Sequence, residues 1–313
     1  VLAFTWHLTA HVGAEEIAKN FLVRQPAVNA LGFKISANRT PPRRVKRLGC
    51  DCIEAIYGFE TKVGHAEGAL RLVPASDGVG AAGHKAWVIS TSLEELTGSE
   101  EKVGANRPSG AAFSRNFGGD NWEDARRSAQ SYEDRDPTVL VVGGAQAGLS
   151  IAARLNQVGV DTLVVEKWPR IGDSWRKRYH SLALHNSIHV NNLPYMPFPP
   201  TWPNYIPKDM LGLWFETYAQ VMEINHWTNT EFTQGTWDVD AKCWEATLKR
   251  ADGTERVMRP RHIVFANGVS TYPLVPEIPG LDTFKGDVLH SEGFDSGAPY
   301  AGKNAIVIGT GSS

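Results

Sequence analysis

Cysteine is almost missing from this chain: Cys50, Cys52 and Cys243 are the whole complement of its 313 residues. Three thiols cannot frame a disulfide-built secreted fold of this size. The Cys-x-Cys of Cys50 and Cys52 has no second ligand pair, so no metal site is expected. This usage points to the reducing cytoplasm. Long apolar runs are missing too: none approaches the roughly 18 to 20 residues that cross a bilayer, and no membrane span is expected. An excess of one charge is also missing. Lys and Arg number 32 against 34 Asp and Glu, a formal net charge of -2. There is thus no electrostatic case for nucleic acid or an anionic membrane. The basic run Pro41-Pro42-Arg43-Arg44-Val45-Lys46-Arg47 is short and reads as a solvated loop or hairpin end. The first residue is Val1, which leaves a targeting segment upstream open.

What is present is an ordinary globular balance of apolar and charged residues, 42% and 21%, in three textures. Residues 1–98 open with helical patterns over Val1–His11 and Ala14–Val23. Strand-like stretches follow over Cys52–Thr61, Gly68–Val73 and Ala86–Leu93, rich in β-branched and aromatic residues. Helix first and long strands after predict an α+β layer fold with antiparallel pairing. Residues 99–137 are rich in Gly, Ser, Asn and charge and read as a linker pinned at most by Trp122. At Thr138 the texture becomes α/β. Thr138–Val142 is apolar after its first residue, as a strand buried on both faces requires. Ala147–Val158 carries helical apolar spacing, Gly159 ends it, and Thr162–Val165 is the next buried strand.

Chemistry concentrates at the turn Gly143-Gly144-Ala145-Gln146-Ala147-Gly148, between that strand and that helix. Its first glycine permits a tight turn, its second small position lets a pyrophosphate approach, and its third lets helix and strand touch. Ala145 stands at the second position. Free N–H groups at the helix start would receive the phosphate. Glu166 follows the second strand, roughly 20 residues after Gly143, where a carboxylate accepts hydrogen bonds from an adenosine ribose and disfavours a 2′-phosphate. This first site therefore suits FAD or NAD and not NADPH.

Further motifs narrow the reading: Gly172-Asp-Ser-Trp175, Leu182-Ala-Leu-His185, and Leu193-Pro-Tyr-Met-Pro-Phe-Pro199. Most specific is Phe284-x-Gly286-x-x-x-His290-x-x-x-Phe294. Ala266-Asn267-Gly268 ends an apolar strand, Ile263–Phe265, and Ala305-Ile-Val-Ile-Gly309-Thr-Gly311-Ser312 repeats the strand-to-glycine idea of the first turn. Together these resemble the flavin-containing monooxygenases, particularly the branch with the plant YUCCA enzymes, over residues 138–313. The departures are Asn186-Ser187 after His185, and Asn267 for the usual threonine.

The resemblance implies a Rossmann-type FAD-binding domain over 138–302 and the start of an NADPH-binding domain over 303–313. It places Lys167, Gly172, Trp175, Arg176, His185, Ala266 and Gly268 beside FAD with the glycine-rich turn and Glu166. It places Gly309, Gly311 and Ser312 at NADPH. The activity it implies is FAD- and NADPH-dependent oxygenation of a small organic substrate by O2 through a 4a-hydroperoxyflavin, with no side chain assigned as a nucleophile. Phe284, Gly286, His290 and Phe294 would couple the cofactor domains, or His290 would be only a hydrogen-bonded linker histidine. A homodimer is compatible with this. The competing enzyme class, a pyridine nucleotide–disulfide reductase, needs a cysteine pair near the flavin, and Cys243 stands alone after Thr138. A third reading is a fragment or pseudoenzyme without turnover, since the sequence ends before the second motif's helix. Residues 1–98 resemble, by texture, the SnoaL-like cone folds, in which His65, His84 and Glu94 would line a pocket or merely be solvated.

Overall fold

The structure is a computed structural model, and it describes residues 2–4, 10–75, 83–109, 118–269 and 273–309. The chain forms two compact units, Val1–Arg107 and Pro108–Ser313.

The first unit is α+β. Its strands are β1 (Leu2–Phe4), β2 (Leu31–Ile35), β3 (Arg43–Arg47), β4 (Cys50–Thr61), β5 (Gly64–Pro74) and β6 (His84–Leu96), with one long helix, α1 (Ala14–Val28). The sheet order is β1-β6-β5-β4-β2, and β3 also pairs with β4. All pairings are antiparallel except β1 with β6. Two sequence expectations need correction. The helical pattern of Val1–His11 is a strand where Leu2–Phe4 are described, because β6 offers a backbone partner in register, Leu2 opposite Ile89. Of the two readings of the basic run, a loop or a hairpin end, the loop is wrong: Arg43–Arg47 forms β3, one arm of an antiparallel hairpin with β4. One face of β4 and its neighbours is aromatic, with Phe33 stacked on Phe59 at 4.8 Å.

The second unit is layered α/β. Strands β7 (Val139–Val142), β8 (Thr162–Val165), β9 (His226–Trp227) and β13 (His262–Phe265) form a parallel sheet in the order β13-β7-β8-β9. Helices α3 (Gln146–Gln157) and α5 (Lys208–Val221) contribute to the core that contains Val139, Val141 and Val164. The antiparallel sheet of β10 (Thr230–Asp238), β11 (Cys243–Arg250) and β12 (Glu255–Met258) contributes to a second core with Leu140, Leu163 and Val165. Successive residues of β7 and β8 thus enter opposite cores, which is why both strands read as unbroken apolar runs.

The supposed linker 99–137 is largely structural from residue 118 on. Helix α2 (Trp122–Ser131) starts at a reciprocal cap between Asn121 and Asp124. Tyr132 after it is fully buried in the second core. Its hydroxyl donates to the Asp161 carboxylate at 2.7 Å and accepts from Asn225 Nδ2 at 3.1 Å. Trp227 Nε1 donates to the Gln130 carbonyl at 2.7 Å, and Trp122 Nε1 to Glu223 at 2.7 Å. At the other end of the unit, residues 304–308 form no strand. Ile306, Val307 and Ile308 are exposed and unpaired, which corrects the strand expected there.

Candidate dinucleotide site

The glycine-rich turn is fixed by how little room surrounds it. Gly143 has φ +110°, and a Cβ there would lie 2.5 Å from the Ala266 carbonyl oxygen. A Cβ on Gly148 would lie 1.9 Å from the Gly143 carbonyl, so α3 touches the end of β7. Ala145 needs no glycine: its φ is -101°, in the extended region. Its methyl packs on the first core. Helix α3 starts at Ala145 with no side-chain cap. Its orphan N–H groups and the positive end of its dipole are available to an anion.

Glu166 is buried and held from two sides. Its Oε2 accepts from Gly144 N at 2.8 Å and its Oε1 from Trp168 N at 3.1 Å. The carboxylate therefore ties the end of β8 to the glycine-rich turn, with lone pairs left for ribose hydroxyls. This second duty, beside the ribose expected from the motif, leaves no mark in the sequence.

A cleft of about 440 Å³ opens beside the start of α3. Gln146, Ala147 and Ser150 line it from the helix, Trp175 and His185 from the following segments, and Asn192 from the loop beyond. Trp175 Nε1 donates to Gln146 Oε1 at 3.2 Å, linking the Gly-x-x-Trp turn to the helix start. That turn is forced by packing. Gly172 has φ +89°, and a Cβ there would sit 2.2 Å from the Gly212 carbonyl of α5. The Leu-Pro run is seated by Phe198, which stacks with Trp202 at 5.5 Å, and by Tyr218, whose hydroxyl donates to the Pro194 carbonyl at 3.0 Å. At the departure Asn186-Ser187, the Ser187 hydroxyl donates to Asn204 Oδ1 at 2.8 Å and closes the loop by a side-chain bond. The cradle fits the adenosine and pyrophosphate of a dinucleotide on three counts: the space that only glycine leaves, the uncapped helix start and the buried carboxylate.

The sequence model of the flavin-binding monooxygenase-like family matches residues 136–313. The chain belongs to this family. It is 32% identical over 191 residues to indole-3-pyruvate monooxygenase YUCCA1 of Oryza sativa subsp. japonica, covering 61% of this chain and 46% of that one. It is 33% identical over 178 residues to the probable indole-3-pyruvate monooxygenase YUCCA4 of Arabidopsis thaliana, covering 56% and 42%. A flavin-containing monooxygenase from Stenotrophomonas maltophilia superposes with a TM-score of 0.49 at 24% identity, covering 54% of this chain and 49% of that one. The chain spans less than half the length of these curated relatives.

Not every residue assigned to the flavin by family resemblance sits in the cleft. Arg176 is committed elsewhere: it donates to Asp173 at 2.9 Å, to the Ile171 carbonyl at 2.9 Å and to Glu216 at 2.8 Å. It holds the Gly-x-x-Trp turn on α5. Lys167 is exposed, with its ammonium 5.3 Å from the centre of the Trp168 ring. Ala266 backs Gly143, and Gly268 turns the chain with φ +88°. Gly309 is exposed, and Gly311 and Ser312 lie outside the described residues. In the monooxygenase fingerprint, the ring of Phe284 lies over Gly286, where a Cβ would come within 2.6 Å of it. His290 Nδ1 accepts from Glu292 N at 3.1 Å, a local cap. Phe294 packs 6.0 Å from Tyr179, and the Asp295 carbonyl accepts from His180 N at 2.8 Å. The fingerprint is thereby tied to the segment between Trp175 and His185. The pocket residues Ser150 and Asn192 carried no motif signal. Among the described residues no cluster of metal-ligating side chains occurs, and no helix is long and apolar enough to cross a membrane.

Proposed function

We propose that the chain carries the FAD-binding part of a flavin-dependent monooxygenase that draws electrons from NADPH and transfers one oxygen atom from O2 to a small organic substrate. The observation that carries this is the junction of Gly144, Glu166 and the uncapped start of α3. A bound flavin would supply the acceptance of a hydride and the activation of O2. The protein's own residues bind and orient. The N–H groups at Gln146 and Ala147 would face the pyrophosphate, and Glu166 the ribose. Trp175 and the loop near His185 would wall the cleft and keep water from it. NADPH would meet the segment around Gly309, Gly311 and Ser312. Family resemblance supports that last step.

The disulfide reductase reading finds no cysteine pair, since all three cysteines are free and Cys243 is alone in the second unit. The plant relatives are named indole-3-pyruvate monooxygenases, which makes indole-3-pyruvate the first substrate to test. The test of the cofactor is direct. The purified chain, incubated with FAD and desalted, should retain flavin absorbance, and an excess of NAD should not displace it. A colourless protein after that treatment would overturn the assignment.

A further inference from the structure

We propose that the N-terminal sheet carries a binding site for a small organic anion with an apolar body, separate from the dinucleotide site. Cross-strand register builds it. Arg43 on β3 stands opposite Glu54 on β4, and Glu54 opposite Arg71 on β5. Paired residues share a face of a sheet, so three strands deliver charge to one place. Glu54 Oε1 accepts from Arg47 Nε and Arg71 Nε, both at 2.8 Å. Its Oε2 accepts from Arg47 Nη2 at 3.0 Å and Arg43 Nη2 at 3.4 Å. The hydrogen bonds from Arg47, helped by the one from Arg71, hold the Glu54 carboxyl down to about 2, so it is charged at any physiological pH.

One carboxylate among three guanidinium groups leaves two positive charges uncompensated. Its roughly four acceptor positions are already filled, whereas each guanidinium carries five donors. Arg71 reaches Glu54 through its Nε alone. Two other carboxylates on this face have partners of their own, Glu67 with Arg39 at 2.7 Å and Glu60 with His65 at 3.0 Å. A further anion would relieve the repulsion among the arginines, and planar carboxylates and phosphates match their fork geometry.

The same place has a cleft of about 440 Å³, within the usual range for small-molecule sites. Arginines 43, 47 and 71 line it together with Ile56, Ala69 and Val88. Ile56 pairs with Ala69, and Arg71 with Val88, so these apolar residues adjoin the charges on the same face. His65, His84 and Glu94, the earlier candidates in this unit, are not among the lining residues. His65 and His84 lie at opposite ends of β5 and its pairing with β6.

Benzoate is the probe, with benzamide as its uncharged counterpart and inorganic phosphate as a charge without an apolar body. Each is titrated into the full chain by calorimetry. We expect saturable benzoate binding, benzamide at least ten-fold weaker, and phosphate weaker than benzoate. Arg71→Gln should weaken benzoate ten-fold or more, while Glu54→Gln, which adds net positive charge, should tighten it severalfold. Circular dichroism checks that each variant is folded. Where Arg71→Gln fails that check, Glu54→Gln and the benzamide arm decide. Equal binding of benzoate and benzamide would overturn the proposal, as would benzoate unmoved by both substitutions or absent at millimolar concentration. Phosphate binding as tightly as benzoate would overturn the apolar half of it.

Discussion

Gly148 and Glu166 set strict local terms at the dinucleotide site. A side chain on Gly148 meets the Gly143 carbonyl at 1.9 Å, and both groups are backbone that cannot move aside. Gly148→Val should therefore prise α3 from β7 and abolish flavin retention, read as loss of bound absorbance after desalting. Glu166 is subtler because its carboxylate already serves two backbone N–H groups. Each charged hydrogen bond is worth about 1.5 to 3 kcal/mol. Glu166→Ala should weaken FAD binding by roughly ten- to a hundred-fold and lower the melting temperature of the free protein. Glu166→Gln should keep the Gly144 bond through its amide oxygen and lose mainly ligand affinity. If the alanine variant melted as the parent does, the tie to the glycine-rich turn would be wrong. The proposal that Glu166 meets a cofactor ribose comes from its place after the second strand. Its role in fixing Gly144 was not legible in the sequence, because a contact across a turn leaves no spacing pattern.

At the scale of elements, legibility followed hydrophobic signal. Strands β4, β5 and β6 are 12, 11 and 13 residues long and were recognised, with their ends drawn short. Strand β2 is exposed along its whole length and β3 is basic, so neither showed an apolar alternation. Helix α2 is polar, and its anchor, Tyr132, lies just past its end. The cue was a cap and one tyrosine, not a periodic face. That tyrosine can be tested. Tyr132→Phe keeps the ring but takes the hydroxyl from Asp161 and from the buried Asn225, whose Nδ2 loses its acceptor at a cost of about 1 to 3 kcal/mol. Thermal melts should fall accordingly, and an unchanged melt would return this stretch to the status of a linker. In the first unit, Glu54 gives a pH signature. Its folded pKa lies below the ordinary 4.5, at about 2. Its contribution is therefore complete above about pH 4.5 and disappears as the pH falls through about 2. The stability gap between the parent and Glu54→Gln, followed by circular dichroism melts, should narrow over that window and not above it.

Taken as a whole molecule, the chain shows water more apolar surface at one strand edge and one segment than a self-contained fold requires. Strand β13 is the edge of its sheet, and Phe265 on it is exposed. Val269, Leu274 and Val275 follow, all exposed. Ile306, Val307 and Ile308 are exposed in succession with no strand partner among the described residues. Sequence reasoning found the apolar run at 305–308 and expected a strand. A strand needs a neighbour to take its backbone hydrogen bonds and a layer to cover its side chains, and the described residues supply neither. An apolar β-branched run and an open sheet edge are each templates for pairing with other chains. The purified chain should therefore self-associate as its concentration rises, read as growing mass in sedimentation velocity, and should bind an apolar fluorophore. Ile306→Lys with Ile308→Lys, two changes at exposed positions, should reduce both signals while leaving FAD retention as in the parent. A chain that stays monomeric and dark to the fluorophore at high concentration would show that these residues are covered in solution by a packing the structure does not contain.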